Sequence, residues 1–419
     1  MPEKIKAMIA NIIAHLAKLL LPYILKAIET AQEKTEKKKA ERRQLDMVRN
    51  LEEFVAKNYD CRFNTAYGQA EIRAKDAGGR YFPADRRTLN SIVLDAKAAG
   101  IDCWDRDVAR LLCSDRISDY NPLRGYMENL PEWDGRDRVA ELAARVSTDA
   151  LWQRGFHAWM LAMVSSWMGG KSAFGNQLVP LLVSREQGLG KSTFCRRLLP
   201  AELSEFFTDR FDLRAEARCE AKMAFYGLVN LDEFDRYGSR QSANLKNLIQ
   251  MGSVSVRLPY SGRLTEMNRT ASFIATSNSF ELLSDPTGSR RYLCVEVTKP
   301  IDNTADIDLD QLYAQLLHEL EAGTRLPYLT HEEEQLVQRR NKRFMRTDPI
   351  AEVFTKAYTA SDETEYSLSA TEIFLTLKKK YPAAMRGTTP RMLTRTLSSL
   401  GITKRHTRNG NVYMVARRV

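Results

Sequence analysis

The chain has 419 residues, 43% of them apolar and 28% charged, with a formal net charge of +10. That composition excludes a disordered tail, a fibrous repeat and a small disulfide scaffold, and leaves room for two or three domains. The six cysteines (Cys61, Cys103, Cys113, Cys195, Cys219, Cys294) form no CxxC pair, so no zinc ribbon or disulfide framework is expected, and reduced thiols in the cytoplasm are the default. The charge is uneven: residues 366–419 hold eleven basic side chains and one acid, Glu372, an excess equal to that of the whole chain. A neutral body with one basic end points to a module that meets a polyanion.

The most apolar stretch, Ala7–Leu25, is broken by Asn11, His15, Lys18 and Pro22 and falls short of a membrane span, so no stable membrane insertion is expected. Its apolar residues recur at helical spacing, which predicts a helix that packs on another helix or lies on a membrane surface. The charged run Glu29–Arg43 reads as a solvated helix or linker. Further on, Cys61–Lys75 reads as two short strands around Tyr67-Gly68, and Asp85–Ala99 and Asp105–Cys113 as helices. Asn121–Val139, rich in Pro, Gly and turn formers, looks like a domain joint. Leu151–Met168 is an apolar helix with Trp152, Trp159 and Trp167 in a core. Four apolar runs of strand length follow, Leu178–Ser184, Gly227–Leu231, Phe273–Thr276 and Tyr292–Val297, with helices between them. They predict an α/β fold with a mostly parallel sheet covered on both faces.

The first of these runs leads into Arg185-Glu186-Gln187-Gly188-Leu189-Gly190-Lys191-Ser192-Thr193, a glycine-containing turn that opens a helix. A phosphate site needs that order, because backbone N–H groups of the turn and of the helix N-terminus cradle the phosphates. Gln187 to Thr193 are therefore the candidate ATP-binding residues; Lys191 would reach the β- and γ-phosphates and Ser192 would ligate Mg²⁺. Arg185 stands where the usual motif begins with Gly.

The second run ends in Asp232-Glu233. Carboxylates at a strand's C-terminal edge suit Mg²⁺ binding by Asp232 and polarisation of an attacking water by Glu233. The third ends in Asn278, a neutral donor and acceptor able to orient that water, or else a simple cap. Arg290 and Arg291 precede the fourth run, and either could serve a neighbouring subunit's phosphates as an arginine finger, a plain surface pair being the alternative. Between acids and amide, Ser253–Thr270 reads as a β-hairpin whose Arg257, Tyr260 and Arg263 suit single-stranded DNA, a plain structural hairpin being the alternative.

The order GLGKST, NLDE, basic hairpin, ATSN, GSRR resembles the superfamily 3 helicases within the AAA+ ATPases, and more closely the virulence-associated protein E family of phage and mobile-element replication proteins. The segment YNPLRGYMENLPEWDGRDRV is similar to that family's motif upstream of the ATPase core. The resemblance covers about residues 59–300. It implies a hexameric, ring-forming ATPase that uses ATP and Mg²⁺ to move along or unwind DNA, with primase or other replication proteins as further partners. It carries catalytic roles onto Lys191, Glu233, Asn278 and Arg290 or Arg291, and the metal onto Ser192 and Asp232. A zinc-type primase cluster is absent from the sequence.

In the basic end, Ser369 and Glu372 form a capping box, and Thr389-Pro390 opens a second helix with Arg391 and Arg395 one turn apart. Asn409-Gly410 then turns a hairpin bearing Lys404, Arg405 and Arg408. Two helices and a hairpin predict a winged helix on double-stranded DNA, with a basic protein-docking module as the alternative. The expected organisation is an amphipathic helix and linker (1–46), an α+β region (47–145), an AAA+ P-loop core (146–300), a helical connector (301–348) and the winged-helix end (349–419). The functional expectation is an ATP-dependent DNA helicase or translocase. Its rivals are a nucleotide-switched DNA-binding regulator and an ATPase motor of DNA packaging or defence.

Overall fold

The computed structural model describes residues 3–77, 79–170, 175–214, 216–257, 264–284, 288–346, 348–361, 367–408 and 410–418. It is a mixed α/β protein, about half helical, whose chain divides into two units: Met1–Tyr126 with Arg257–Thr265, and Met127–Val256 with Glu266–Val419.

The first unit begins with a single helix, α1 (Glu3–Asn58), that runs through Pro22. The apolar stretch and the charged run expected as separate segments are thus continuous, as the Glu, Lys, Ala and Gln run of high helix propensity allows. Its C-terminal end, with Leu51 and Val55, packs into the unit's core. Strands β1 (Tyr59–Asn64) and β2 (Gln69–Ala74) form the expected hairpin, extended by β3 (Phe82–Pro83) and β4 (Asp119–Tyr120) into a sheet ordered β3-β2-β1-β4. Alternation decides the faces: Ala70 and Ile72 meet Ile92, Ala96 and Val108 of helices α2 (Arg86–Ala98) and α3 (Asp105–Leu112). The other face pairs Arg62 with Glu71 (2.7 Å) and Arg73 with Asp60 (2.9 Å). Asp85 caps α2 by accepting from Thr88 N (2.8 Å). The proposed joint holds α4 (Pro122–Glu128) and the start of α5 (Arg138–Ala144).

In the second unit, α6 (Ala150–Trp167) buries Trp152, Trp159 and Trp167 as expected. Strand β5 (Val179–Val183) leads to α7 (Lys191–Arg196). After β6 (Phe207–Thr208) and α8 (Glu216–Met223) come β7 (Leu228–Leu231) and α9 (Ser239–Gln250). A two-stranded ribbon, β8 (Ser253–Val256) with β9 (Thr265–Asn268), precedes β10 (Ser272–Ser277) and β11 (Tyr292–Glu296). The main sheet runs β11-β5-β10-β7-β6 with every pairing parallel. Its strands are almost wholly buried, as their unbroken apolar runs require. Two-residue β6 carries too little pattern to be read from sequence. Just past the ribbon, fully buried Arg269 donates to the carbonyls of Leu248, Ile249, Met251, Asn176 and Ala271 (2.6–3.2 Å). Burial pushes its pKa down to about 9, which leaves it charged at neutral pH.

Helices α10 (Leu309–Ala322) and α11 (His331–Arg340) lead to the basic end. There α12 (Pro349–Ala357) ends where Tyr358–Ala360 form β12 against β15 (Gly410–Arg417). β13 (Ser367–Ser369) and β14 (Lys404–Thr407) also pair with β15. Helices α13 (Ala370–Lys380), opened by the Ser369–Glu372 capping box, and α14 (Pro390–Ser399) share a core of Phe354, Ile373, Leu377, Leu393, Leu397 and Tyr413.

Candidate functional site

Parallel strands β5, β10 and β7 are neighbours, so their C-terminal ends lie side by side, and the residues just beyond them converge. A cavity of about 370 Å³ at this edge is lined by residues 187–193, 232–233 and 276–278. Every residue nominated on one subunit for nucleotide, metal and water is therefore in one place.

The hydrogen bonds are specific. Lys191 is buried, and its Nζ donates to Asn278 Oδ1 (2.8 Å) and to Ser184 Oγ. Burial lowers the Lys191 pKa against the opposing pull of Asp232. Ser192 Oγ donates to Asp232 Oδ1 (3.0 Å), and the Thr276 hydroxyl donates to the same oxygen. A hydroxyl and a carboxylate this close form a donor set that suits a hard divalent cation. A lysine beside a helix N-terminus suits phosphate.

The loop's conformation explains its composition. Gly188 and Gly190 have φ of 79° and 80°, in the region that side chains avoid. At Gly190 a Cβ would also meet Asn303 Nδ2 at 2.4 Å, the amide that donates to Gly190 O (3.0 Å). Arg185 is not among the residues of positive φ, so the missing first glycine leaves the turn unstrained. Its guanidinium instead covers the Phe280 ring at 5.3 Å. Glu233 is the one non-glycine residue of positive φ among those described (52°), and it is ion-paired with Arg236. A strained carboxylate persists only where its surroundings hold it, and here it lies in the cavity.

Arg290 and Arg291 are not brought to this cavity. They precede β11, whose Tyr292 pairs with Val179 and Glu296 with Val183, so they lie at the opposite end of the sheet, about 16 Å of strand away. Both line a second cavity of about 320 Å³. Arg290 is half exposed and 3.4 Å from Glu334, whereas Arg291 Nε is buried without a partner. Of the DNA candidates, Arg257 is exposed; Tyr260 and Arg263 lie outside the described residues. Arg391, Arg395, Lys404, Arg405 and Arg408 are all exposed on α14, β14 and the turn that follows.

Sequence reasoning missed Ser184, Thr276 and Asn303. Thr276 was findable, since strand alternation puts it on the same side as Asn278. Asn303 comes from a distant loop and carries no local signal.

Residues 127–346 match the virulence-associated protein E-like domain. The chain belongs to that family. Residues 347–415 match a second family, a domain of unknown function (DUF3874). Against solved structures, this virulence-associated protein E-like chain is similar to the apo structure of the NrS-1 C-terminal region (305–718), at 12% identity and a TM-score of 0.46 over 89% of this chain and 99% of that one. A form of the same region matches at 13% identity and a TM-score of 0.43, over 88% and 99%. No curated protein matches the sequence.

Proposed function

We propose that this virulence-associated protein E-like chain is an ATP-dependent DNA helicase or translocase that replicates a phage or mobile element, with an AAA+ P-loop core and a winged-helix end. The observation that carries the proposal is the convergence of Lys191, Ser192, Asp232, Glu233 and Asn278 in one cavity at the C-terminal ends of parallel strands.

Bound MgATP would supply the phosphoanhydride bond to be hydrolysed. Lys191 and the backbone N–H groups of 188–193 hold the phosphates; Ser192 and Asp232 hold the Mg²⁺. Glu233 takes the proton of the attacking water, and Asn278, bonded to Lys191, fixes the water's approach. An arginine from a neighbouring copy completes the charge compensation in a hexameric ring. The hairpin at 253–270 and the exposed arginines of α14 give contacts to single- and double-stranded DNA.

The test is DNA-stimulated ATPase followed by strand displacement on a forked duplex. Wild type is expected to do both, and Lys191→Ala neither. ATPase that is absent from wild type, or unchanged in Lys191→Ala, sinks the proposal. Robust ATPase without displacement points instead to a packaging or defence motor.

A further inference from the structure

The N-terminal part of α1 is bare. Every described side chain from Ile5 to Asp46 is exposed, whereas Leu51 and Val55 of the same helix are buried. At 1.5 Å per residue the bare part is about 60 Å long. Its far end is apolar: eleven large hydrophobic side chains between Ile5 and Leu25 show from 39% (Ile5) to 74% (Tyr23) of their surface. Together they expose on the order of 1,000 Å², beyond the few hundred that monomers leave bare and enough for one side of a standard interface, about 800 Å².

The spacing fits a helical occupant, with Met8, Ile13 and Leu20 flanking the seam. Ile5, Ile9, Ile12, Leu16, Leu19 and Tyr23 alternate at intervals of four and three, the 3.5-residue period that keeps a seam facing a second helix over three heptads. The neighbouring stretch 29–43 interleaves four acids with six bases, so charges of both signs are available to pair with a second copy of the same segment. No helix among the described residues is long and apolar enough to cross a membrane.

We propose that residues 5–25 are a self-association seam, paired with the same segment of a second copy of this chain. The pairing uses no residue of the nucleotide cavity, so it stands or falls independently of ATP hydrolysis.

The test uses full-length, nucleotide-free protein in sedimentation velocity. Two seam-breaking variants are made, Ile12→Glu with Leu16→Glu, and Ile12→Lys with Leu16→Lys. Since both positions are exposed, the thermal unfolding midpoint of the globular part should not change. Wild type is expected to self-associate, each double variant to do so at least ten-fold more weakly, and an equimolar mixture of the two to re-associate through opposite charges. An unchanged association state in either double variant, or a mixture that stays dissociated, overturns the proposal. So does a wild type that is monomeric alone and sediments with phosphatidylglycerol/phosphatidylcholine vesicles.

Discussion

The two ends of the parallel sheet are held together differently. At the C-terminal end of the strands, the central polar groups are paired: Lys191 with Asn278 and Ser184, Ser192 and Thr276 with Asp232, Glu233 with Arg236. At the other end, Arg290 has only a loose contact with Glu334, and the buried Nε of Arg291 has none. Buried polar groups are normally satisfied, and Arg291 Nε, like Asn230 and Asn341 Oδ1 in the same unit, has no protein partner among the described residues. The contrast is one of degree: one end is tied by close hydrogen bonds, while the other holds a single longer ion pair, Arg290 with Glu334. If the proposed ring assembles head to tail, one copy's arginine end would face the next copy's candidate phosphate cavity.

The largest expected effect breaks that contrast at its open end. Arginine fingers contribute roughly 10³–10⁵ in kcat. Arg290→Ala is expected to lower kcat about 10³-fold with nucleotide affinity within a few-fold of wild type, since Arg290 is too far to touch its own subunit's nucleotide. Mixed with Lys191→Ala subunits, it should regain activity, because each variant keeps the half the other lacks. Nucleotide titration and ATPase assays of the mixtures check this. A large loss of affinity, or no recovery on mixing, would sink the head-to-tail account. Arg290, half exposed, is the better finger of the two; Arg291→Ala is expected to act more through local packing.

Next in size is the closed end. Glu233→Gln keeps the shape and removes the base, so hydrolysis should fall about 10²–10⁴-fold while nucleotide binding persists. A glutamine that hydrolyses normally would show that the strained backbone at this position serves the turn alone.

How much of this was legible beforehand follows from what each part depends on. The strands and the loop between Leu181 and Phe194 were readable because an apolar run, glycines at left-handed positions and a helix opening are local signals. Asp232 and Asn278 were readable because parallel strands deliver their C-terminal residues to one edge. Asn303 and the Arg269 clamp were not, since their partners are far along the chain and depend on tertiary packing. The first helix was read in pieces because the charged run Glu29–Arg43 looks like a linker, while cooperative propagation carries the helix through it. Arg185 looked like a defect in the loop; backbone geometry makes it tolerable and Phe280 gives it a seat.

The smallest predicted effect probes the closed end by pH. Burial holds the free Lys191 pKa below its ordinary 10.5, so in the empty cavity the ammonium loses its proton earlier than an exposed lysine would. Phosphate favours the charged form and raises that pKa again. Above the lowered value, binding must therefore take up a proton, and affinity falls as pH climbs towards the ordinary lysine value, by at most about ten-fold per pH unit for one proton. Below the lowered value the lysine is already charged and affinity is flat with respect to this group. Folding follows the matching sign: the desolvated ammonium weakens the nucleotide-free fold below the lowered pKa, and that penalty fades as pH rises past it. Lys191→Arg keeps its charge throughout, so its nucleotide affinity, titrated from neutral pH up towards the ordinary lysine value of 10.5, should lose the slope that wild type shows. If the arginine variant binds nucleotide and retains the slope, the titrating group is not Lys191, and the cavity's electrostatics rest on another residue.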